Sequence, residues 1–332
     1  MTRRRIRPRF IVFILILIGL VVVISALFHH HPPAKPAQTG NRPLNTTAST
    51  VKAPHGYYTL TPFGLPSSLE NFAISDHGGL VTVAGGSSGQ TLNGTVYNMT
   101  SNGAVVSGSL AVARQQGGIV ALPTQDLYVG GISSTNIPSK RAENLNGGSP
   151  RPWLPIGLSG FATTSGGSNT YLVGGNTASG PSKTIYRVTS SGKVQAWASL
   201  PQALFEPMAE VVSHSLYVVG GELSDHHASS AVYRIGLISK RVHRLAPLPV
   251  GVYDGAMGMA GGSLWVLGGY VHHTVTRQTW VIVGSSVVSG RPLPQALAGE
   301  AVAPQGQALW IMGGRTAHGL SSTIYELKSV EP

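Results

Sequence analysis

The chain has 332 residues and no cysteine. That excludes disulfides, thiolate metal sites, cysteine nucleophiles and lipid attachment at a cysteine. Charge is also scarce, with Asp, Glu, Lys and Arg making up 11% of residues. Acid is missing altogether from the first 52 positions, where eight basic residues stand: Arg3, Arg4, Arg5, Arg7, Arg9, Lys35, Arg42 and Lys52. The formal net charge of +11 is therefore concentrated at one end. The rest of the chain holds 15 basic and 12 acidic residues, a net charge of +3. A nucleic-acid-binding domain would carry a basic stripe on its folded part, so no nucleic-acid partner is expected. Long amphipathic helical patterns are nearly absent. So are a phosphate-binding loop, a dinucleotide fingerprint and a Gly-x-Ser-x-Gly elbow.

One long apolar run is present. Phe10 to Phe28 comprises 19 residues without a charge. As a helix it would span about 28 Å, close to the hydrocarbon thickness of a bilayer. The arginines lie before it and nothing comparable follows, which predicts a cytoplasmic N-terminus and an extracytoplasmic remainder. A cleaved signal peptide usually has a shorter apolar core and a small-residue cleavage site. Here the run continues into Leu27, Phe28 and His29-His30-His31, which favours an uncleaved anchor. Residues 29–56, with Pro32, Pro33, Pro36, Pro43 and Pro54 among polar residues, bury too little apolar surface to offset chain entropy and predict a stalk. The expected organisation is a basic tail at 1–9, a transmembrane helix at 10–28, a stalk at 29–56 and a folded domain at 57–332.

The folded part repeats one phrase six times. An apolar strand ends in Gly-Gly at 85–86, 130–131, 174–175, 220–221, 268–269 and 313–314, at intervals of 45, 44, 46, 48 and 45 residues. A period of this size marks a repeat architecture. In the fourth unit Leu216-Tyr217-Val218-Val219 is a strong strand by composition. An apolar segment precedes it, and strands near Ala231–Ile235 and Arg241–Leu245 follow. Four strands and three reversals in one period make one antiparallel propeller blade. Aromatic residues recur at fixed offsets: Tyr171, Tyr217, Trp265 and Trp310 before the glycines, then Tyr97, Tyr186, Tyr233, Trp280 and Tyr325 after them, with Trp153 and Trp197 further on.

Gly-Gly after an apolar strand, a later Tyr and an occasional Trp resemble the kelch repeat. The resemblance covers about residues 57–332, although unit two has Ala142-Glu143 where the others have an aromatic. It implies an all-β, six-bladed propeller of four-stranded blades. The last unit ends at its third strand, Ile324-Tyr325-Glu326-Leu327. The segment 57–62 (Tyr57-Tyr58-Thr59-Leu60-Thr61-Pro62) is expected to supply the fourth and close the ring, which removes an open edge.

Fourteen residues before the first glycine of each pair stand Asn71, Gln116, Gly160, Glu206, Asp254 and Gly299, with Glu300 next. This column falls at the entrance to each innermost strand, on the face where propellers usually carry their sites. Asn71, Gln116, Glu206, Asp254 and Glu300 are the candidate ligand-binding residues. Glu206, Asp254 and Glu300 are the candidate catalytic acids, since paired carboxylates with separated pKa values can do acid–base work on a sugar. His226, His272 and His318 lie in the loops after the glycines of the same units. Their spacing lacks the compactness of a metal site, and adjacent residues in extended chain point apart, so no metal or cofactor is expected. A galactose-oxidase type copper site would need a cysteine, and the repeated sialidase box is absent.

These features together predict a membrane-anchored, extracytoplasmic propeller that binds a protein or glycan without catalysis, on the ground of a rigid scaffold with variable loops and no complete catalytic constellation. The alternative is a carbohydrate-active enzyme of the epimerase or mutarotase kind, as some kelch-like propellers are.

Overall fold

The computed structural model describes residues 51–77, 79–100 and 102–330. The expected basic tail, the span at 10–28 and most of the stalk lie outside these residues. Among the described residues no helix is long and apolar enough to cross a membrane.

Six four-stranded antiparallel sheets form the blades of a propeller. In blade 4 the strands are Met208–Val212, Ser215–Val219, Val232–Gly236 and Val242–Arg244, ordered from the axis outward. Tight turns join the first two strands, and the loop after Gly-Gly joins the second to the third. Blade 2 is the least regular, its outer strand reduced to Arg151–Pro152. Blade 6 is shared by both ends of the folded chain. Its outer strand is His55–Leu60, paired antiparallel with Ile324–Val330 in the register His55↔Val330 to Leu60↔Tyr325. This strand begins two residues before the sequence-based estimate of 57–62.

The core lies in the seams between blades rather than at the axis. Six apolar clusters fill it, one per seam. The recurring aromatics belong here. Trp265 and Tyr128 are fully buried, and Trp197 packs edge-on against Tyr171 with centroids 5.0 Å apart. Large rings suit such sheet-on-sheet contacts because each removes much apolar area from water.

The seams also explain the glycine pairs. In each pair the second glycine donates its N–H to a carbonyl of the next blade: Gly86 to Arg114, Gly131 to Leu158, Gly175 to Leu204, Gly221 to Val252, Gly269 to Leu297 and Gly314 to Leu69. That approach leaves no room for a side chain. A Cβ on Gly85 would sit 2.6 Å from the Arg114 carbonyl oxygen, and one on Gly86 would sit 2.8 Å from that of Glu70. Their φ angles of 71° and 91° also suit glycine best. The repeat phrase is thus the blade-to-blade joint.

Candidate functional site at the channel ring

The column read from the sequence forms a closed circle. Asn71 donates its backbone N–H to Gly299 O (2.9 Å), Gln116 to Asn71 (2.9 Å), Gly160 to Gln116 (2.8 Å), Glu206 to Gly160 (2.8 Å), Asp254 to Glu206 (3.1 Å) and Gly299 to Asp254 (2.8 Å). Every blade contributes one link. The ring caps an axial cavity of about 400 Å³ lined by the innermost strands.

All six ring residues have left-handed backbone. Glycine adopts it freely at positions 160 and 299, but Asn71 (φ 55°), Gln116 (φ 58°), Glu206 (φ 49°) and Asp254 (φ 54°) carry side chains there. Asn and Asp tolerate this region better than Gln and Glu. Such strain costs roughly 1–3 kcal/mol per residue and tends to collect where a side chain is needed for function.

Those side chains converge. Gln116 Nε2 donates to Glu206 Oε1 at 2.5 Å, two blades away. Asp254 Oδ2 and Asn71 Oδ1 lie 3.3 and 3.2 Å from the point that a Gly299 Cβ would occupy. The space above Gly160, in contrast, is filled by the Phe205 ring. Burial pushes Glu206 up to about 8. The Glu222 and Glu70 charges add to this and the Gln116 bond opposes it. Burial, then the neighbouring Glu206 and Glu300, hold Asp254 well above the ordinary carboxylate range, with Arg315 opposing. Crowding like charges in a low-dielectric site has this effect.

Glu300 does not join the circle. Its side chain turns into the seam between blades 5 and 6, where its Oε1 would lie 2.4 Å from a Cβ on Gly268. The residue is 7% exposed. Neither carboxyl oxygen meets a donor in good geometry, although the backbone N–H groups of Glu300 and Ala256 offset part of the effect of burial, which raises its pKa to about 8. Of the three predicted acids, the ring therefore unites two. The histidines do not gather. His226 Nδ1 pairs with Glu222 at 2.5 Å on the exposed surface, His272 is exposed in a turn and His318 is exposed in another. Among the described residues, no group of three or more His, Asp or Glu is placed to hold a metal ion.

The structure adds residues that sequence reasoning missed. The position directly after each glycine pair lies beside the ring and holds Glu222, Tyr270 and Arg315 in blades 4 to 6. Tyr270 stacks on Tyr253, with centroids 5.2 Å apart and planes at 23°. Arg315 makes a bidentate pair with Glu70, at 2.7 and 2.6 Å. Scanning the column after Gly-Gly would have found them. Deeper in the cavity Glu210, pushed up to about 7 by burial, accepts from Thr164 at 3.3 Å. A lone acid inside the apolar run Pro207–Val212 was its signal.

No protein-family model matches the sequence, and no curated protein matches it. Solved structures do. One titled "Structure of YjhT" superposes with a TM-score of 0.68 at 15% identity, covering 82% of this chain and 97% of that one. At that identity the likeness is one of fold. The chain is an all-β, six-bladed propeller of four-stranded blades, an architecture that suits a binding module.

Proposed function

We propose that this propeller is a binding module whose ligand, a glycan or a protein segment, seats at the channel ring. One observation carries the reading. Four of the six ring positions keep polar side chains in a backbone conformation that glycine would take at no cost, and glycine does occupy the other two. A ring serving structure alone would gain from glycine throughout. The repeats are of the kelch kind on this reading, because the glycine pair and the seam aromatics carry that pattern. The apolar run at 10–28 anchors the domain outside the membrane, with the basic N-terminus in the cytoplasm, as the charge asymmetry argues.

The test is a screen of the full chain, held in mild detergent, against an array of glycans and peptides. Gln116→Gly and Glu206→Gly should each keep or raise the melting temperature while retention of the ligand falls at least tenfold. Variants that retain ligand fully, or a ring that unfolds when relieved of strain, would overturn the reading. For the anchor, a tag placed after Thr2 should resist protease added to intact cells and one after Pro332 should be cleaved.

A second reading is supported by the raised pKa of Glu206 and Asp254. A carboxyl raised to about 8 beside a second one held well above the ordinary range could exchange protons with a sugar, as an epimerase or mutarotase does. Turnover by the purified chain that is lost in Glu206→Gln would distinguish catalysis from binding.

A further inference from the structure

Four features beside the ring point to the charge of what it binds. First, the missing side chain of Gly299 leaves a cradle with Asp254 Oδ2 on one side and Asn71 Oδ1 on the other, each just over 3 Å from the vacant Cβ position. Both are acceptors, and no described donor hydrogen-bonds the Asp254 carboxyl. Second, Glu300 lies more than nine-tenths buried in the adjoining seam with neither carboxyl oxygen paired in good geometry, and its charge acts on Asp254. Third, Arg315, the cation near Asp254, is already held by both oxygens of Glu70. That leaves Glu206, Asp254 and Glu222 with no arginine or lysine bound to them. Fourth, the stacked Tyr253 and Tyr270 rings stand beside these acids. Their phenols are pushed up to about 12, by burial first and then by the surrounding carboxylates, so near neutrality they offer uncharged ring faces. Carboxyls, amide oxygens and aromatic faces are the groups that receive an organic ammonium.

We propose that the ring binds a small organic cation, its ammonium group cradled over Gly299 between Asp254 and Asn71 and flanked by Tyr253 and Tyr270. This rests on the binding-module reading and specifies the ligand's chemistry. Five kinds of group face or adjoin the cradle: the carboxyls of Glu206 and Asp254 with Glu300 behind them in the seam, the Glu70–Arg315 pair, Glu222 with its exposed His226, the two tyrosines, and His273, whose Nδ1 lies 3.2 Å from the Tyr253 hydroxyl. Without ligand, Glu206, raised to about 8, holds its proton near pH 7, and burial with the neighbouring Glu206 and Glu300 charges holds Asp254 well above the ordinary carboxylate range. A cation seated in the cradle beside these acids favours their ionised forms, so binding releases protons to the buffer. No covalent step is involved.

The experiment is titration calorimetry of the full chain in mild detergent at pH 7. Glucosamine and spermidine are the cationic probes, with N-acetylglucosamine and glucose as neutral controls. The expected result is binding of the cations at least tenfold tighter than of the neutral sugars, consistent with a charge-assisted contact. The apparent heat should differ between phosphate and Tris buffers, reporting proton release. Asp254→Asn should weaken cation binding about tenfold or more without lowering the melting temperature, because Asn keeps the shape of the side chain without its crowded charge and tolerates left-handed backbone. Gly299→Ala, which fills the cradle, should also weaken cation binding at least tenfold, with a modest drop in melting temperature because residue 299 has left-handed backbone (φ 64°). Three outcomes overturn the inference: no binding of either cation at millimolar concentration, full binding by Asp254→Asn, or a response to Ca²⁺ in place of the amines. Equal binding of N-acetylglucosamine also overturns it but leaves the binding-module reading standing. That reading fails separately if no glycan or peptide of any charge is retained by the ring.

Discussion

Two seams of this propeller each bury a glutamate, and they treat it in opposite ways. Between blades 1 and 2, Glu143 occupies the place where other blades carry an aromatic. It accepts from Arg114 Nη2 at 2.5 Å and from the Ala111 N–H at 2.9 Å. Arg114 in turn donates to Gly130 O at 2.7 Å and Arg141 O at 3.2 Å, and its guanidinium lies 4.9 Å from the centre of the Tyr128 ring. Both partners are 2% exposed. Between blades 5 and 6, Glu300 is buried almost as deeply, yet neither carboxyl oxygen has a hydrogen-bond partner in good geometry. Its position is filled in blades 1 and 3 by Phe72 and Phe161, which pack against the glycine pairs of the preceding blades. One seam replaced an aromatic plug with a paired polar network, in which Arg114 Nε alone lacks a partner. The other replaced it with a bare carboxyl beside the ring. A buried charge is tolerable when paired and costly when alone, so the contrast separates a polar group serving structure from one retained for another reason.

The sharpest way to break the comparison is to remove one partner from the satisfied seam. Arg114→Met leaves Glu143 buried without its counter-charge and frees the carbonyls of Gly130 and Arg141. The expected loss is about 3–5 kcal/mol of unfolding free energy, read as a large drop in melting temperature. A loss below about 1 kcal/mol would show that water reaches this seam and that the pair belongs with surface ion pairs.

The second test takes the bare seam. Glu300 has a folded-state pKa raised to about 8, against about 4.3 for an unperturbed glutamate. Folded protein therefore binds a proton that unfolded chain has lost over the range between these values. By linkage, stability is highest below about pH 4, falls as pH rises between the two pKa values, and levels off above about pH 8. Glu300→Gln carries no such burden. It should raise stability by up to about 3 kcal/mol at pH 7, and that gain should vanish near pH 4. Melting curves of both proteins across this pH range are the measurement. A gain independent of pH would mean that the carboxyl was already neutral in the unfolded reference or already solvated in the fold.

The wheel itself was legible in the sequence because its joints are glycine pairs, and few other residues meet both demands made there, positive φ and backbone contact across a seam. Closure was legible for a related reason: a unit stopping at Ile324–Leu327 lacks one strand, and Tyr57–Leu60 has the composition to supply it. The ring column was found by counting back from Gly85 and its counterparts, and Glu206 and Asp254 do sit in it. Glu300 stands one residue off that column, and one residue is enough to move a side chain from the axis into a seam. What periodicity could not show were the pairings. The partner of Glu70 is Arg315, at a sequence separation of 245, joined only because the first and last blades are neighbours. The Arg114–Glu143 pair likewise appeared in the sequence only as a missing aromatic at Ala142-Glu143. Blade divergence hides the polar substitutions that distinguish one seam from another, since each occurs once.

The smallest effect is expected from changing both members of the satisfied seam together. Arg114→Met with Glu143→Leu removes the charges as a pair and restores an apolar plug beside Tyr128, closer to what the other seams use. Replacing a buried ion pair by well-packed apolar residues is often neutral. Here the Ala111 N–H and the carbonyls of Gly130 and Arg141 would still lose their partners, at about 1–3 kcal/mol for each group left unsatisfied, against a gain of about 1–4 kcal/mol from removing the buried charges together. The double variant should therefore sit about 2 kcal/mol below the natural protein and above Arg114→Met, so that the second substitution rescues the first. A double variant no better than the single one would show that the network is held by its backbone bonds rather than by the meeting of two charges. Glu300, which lacks a counter-charge of its own, would then differ from Glu143 in backbone satisfaction alone.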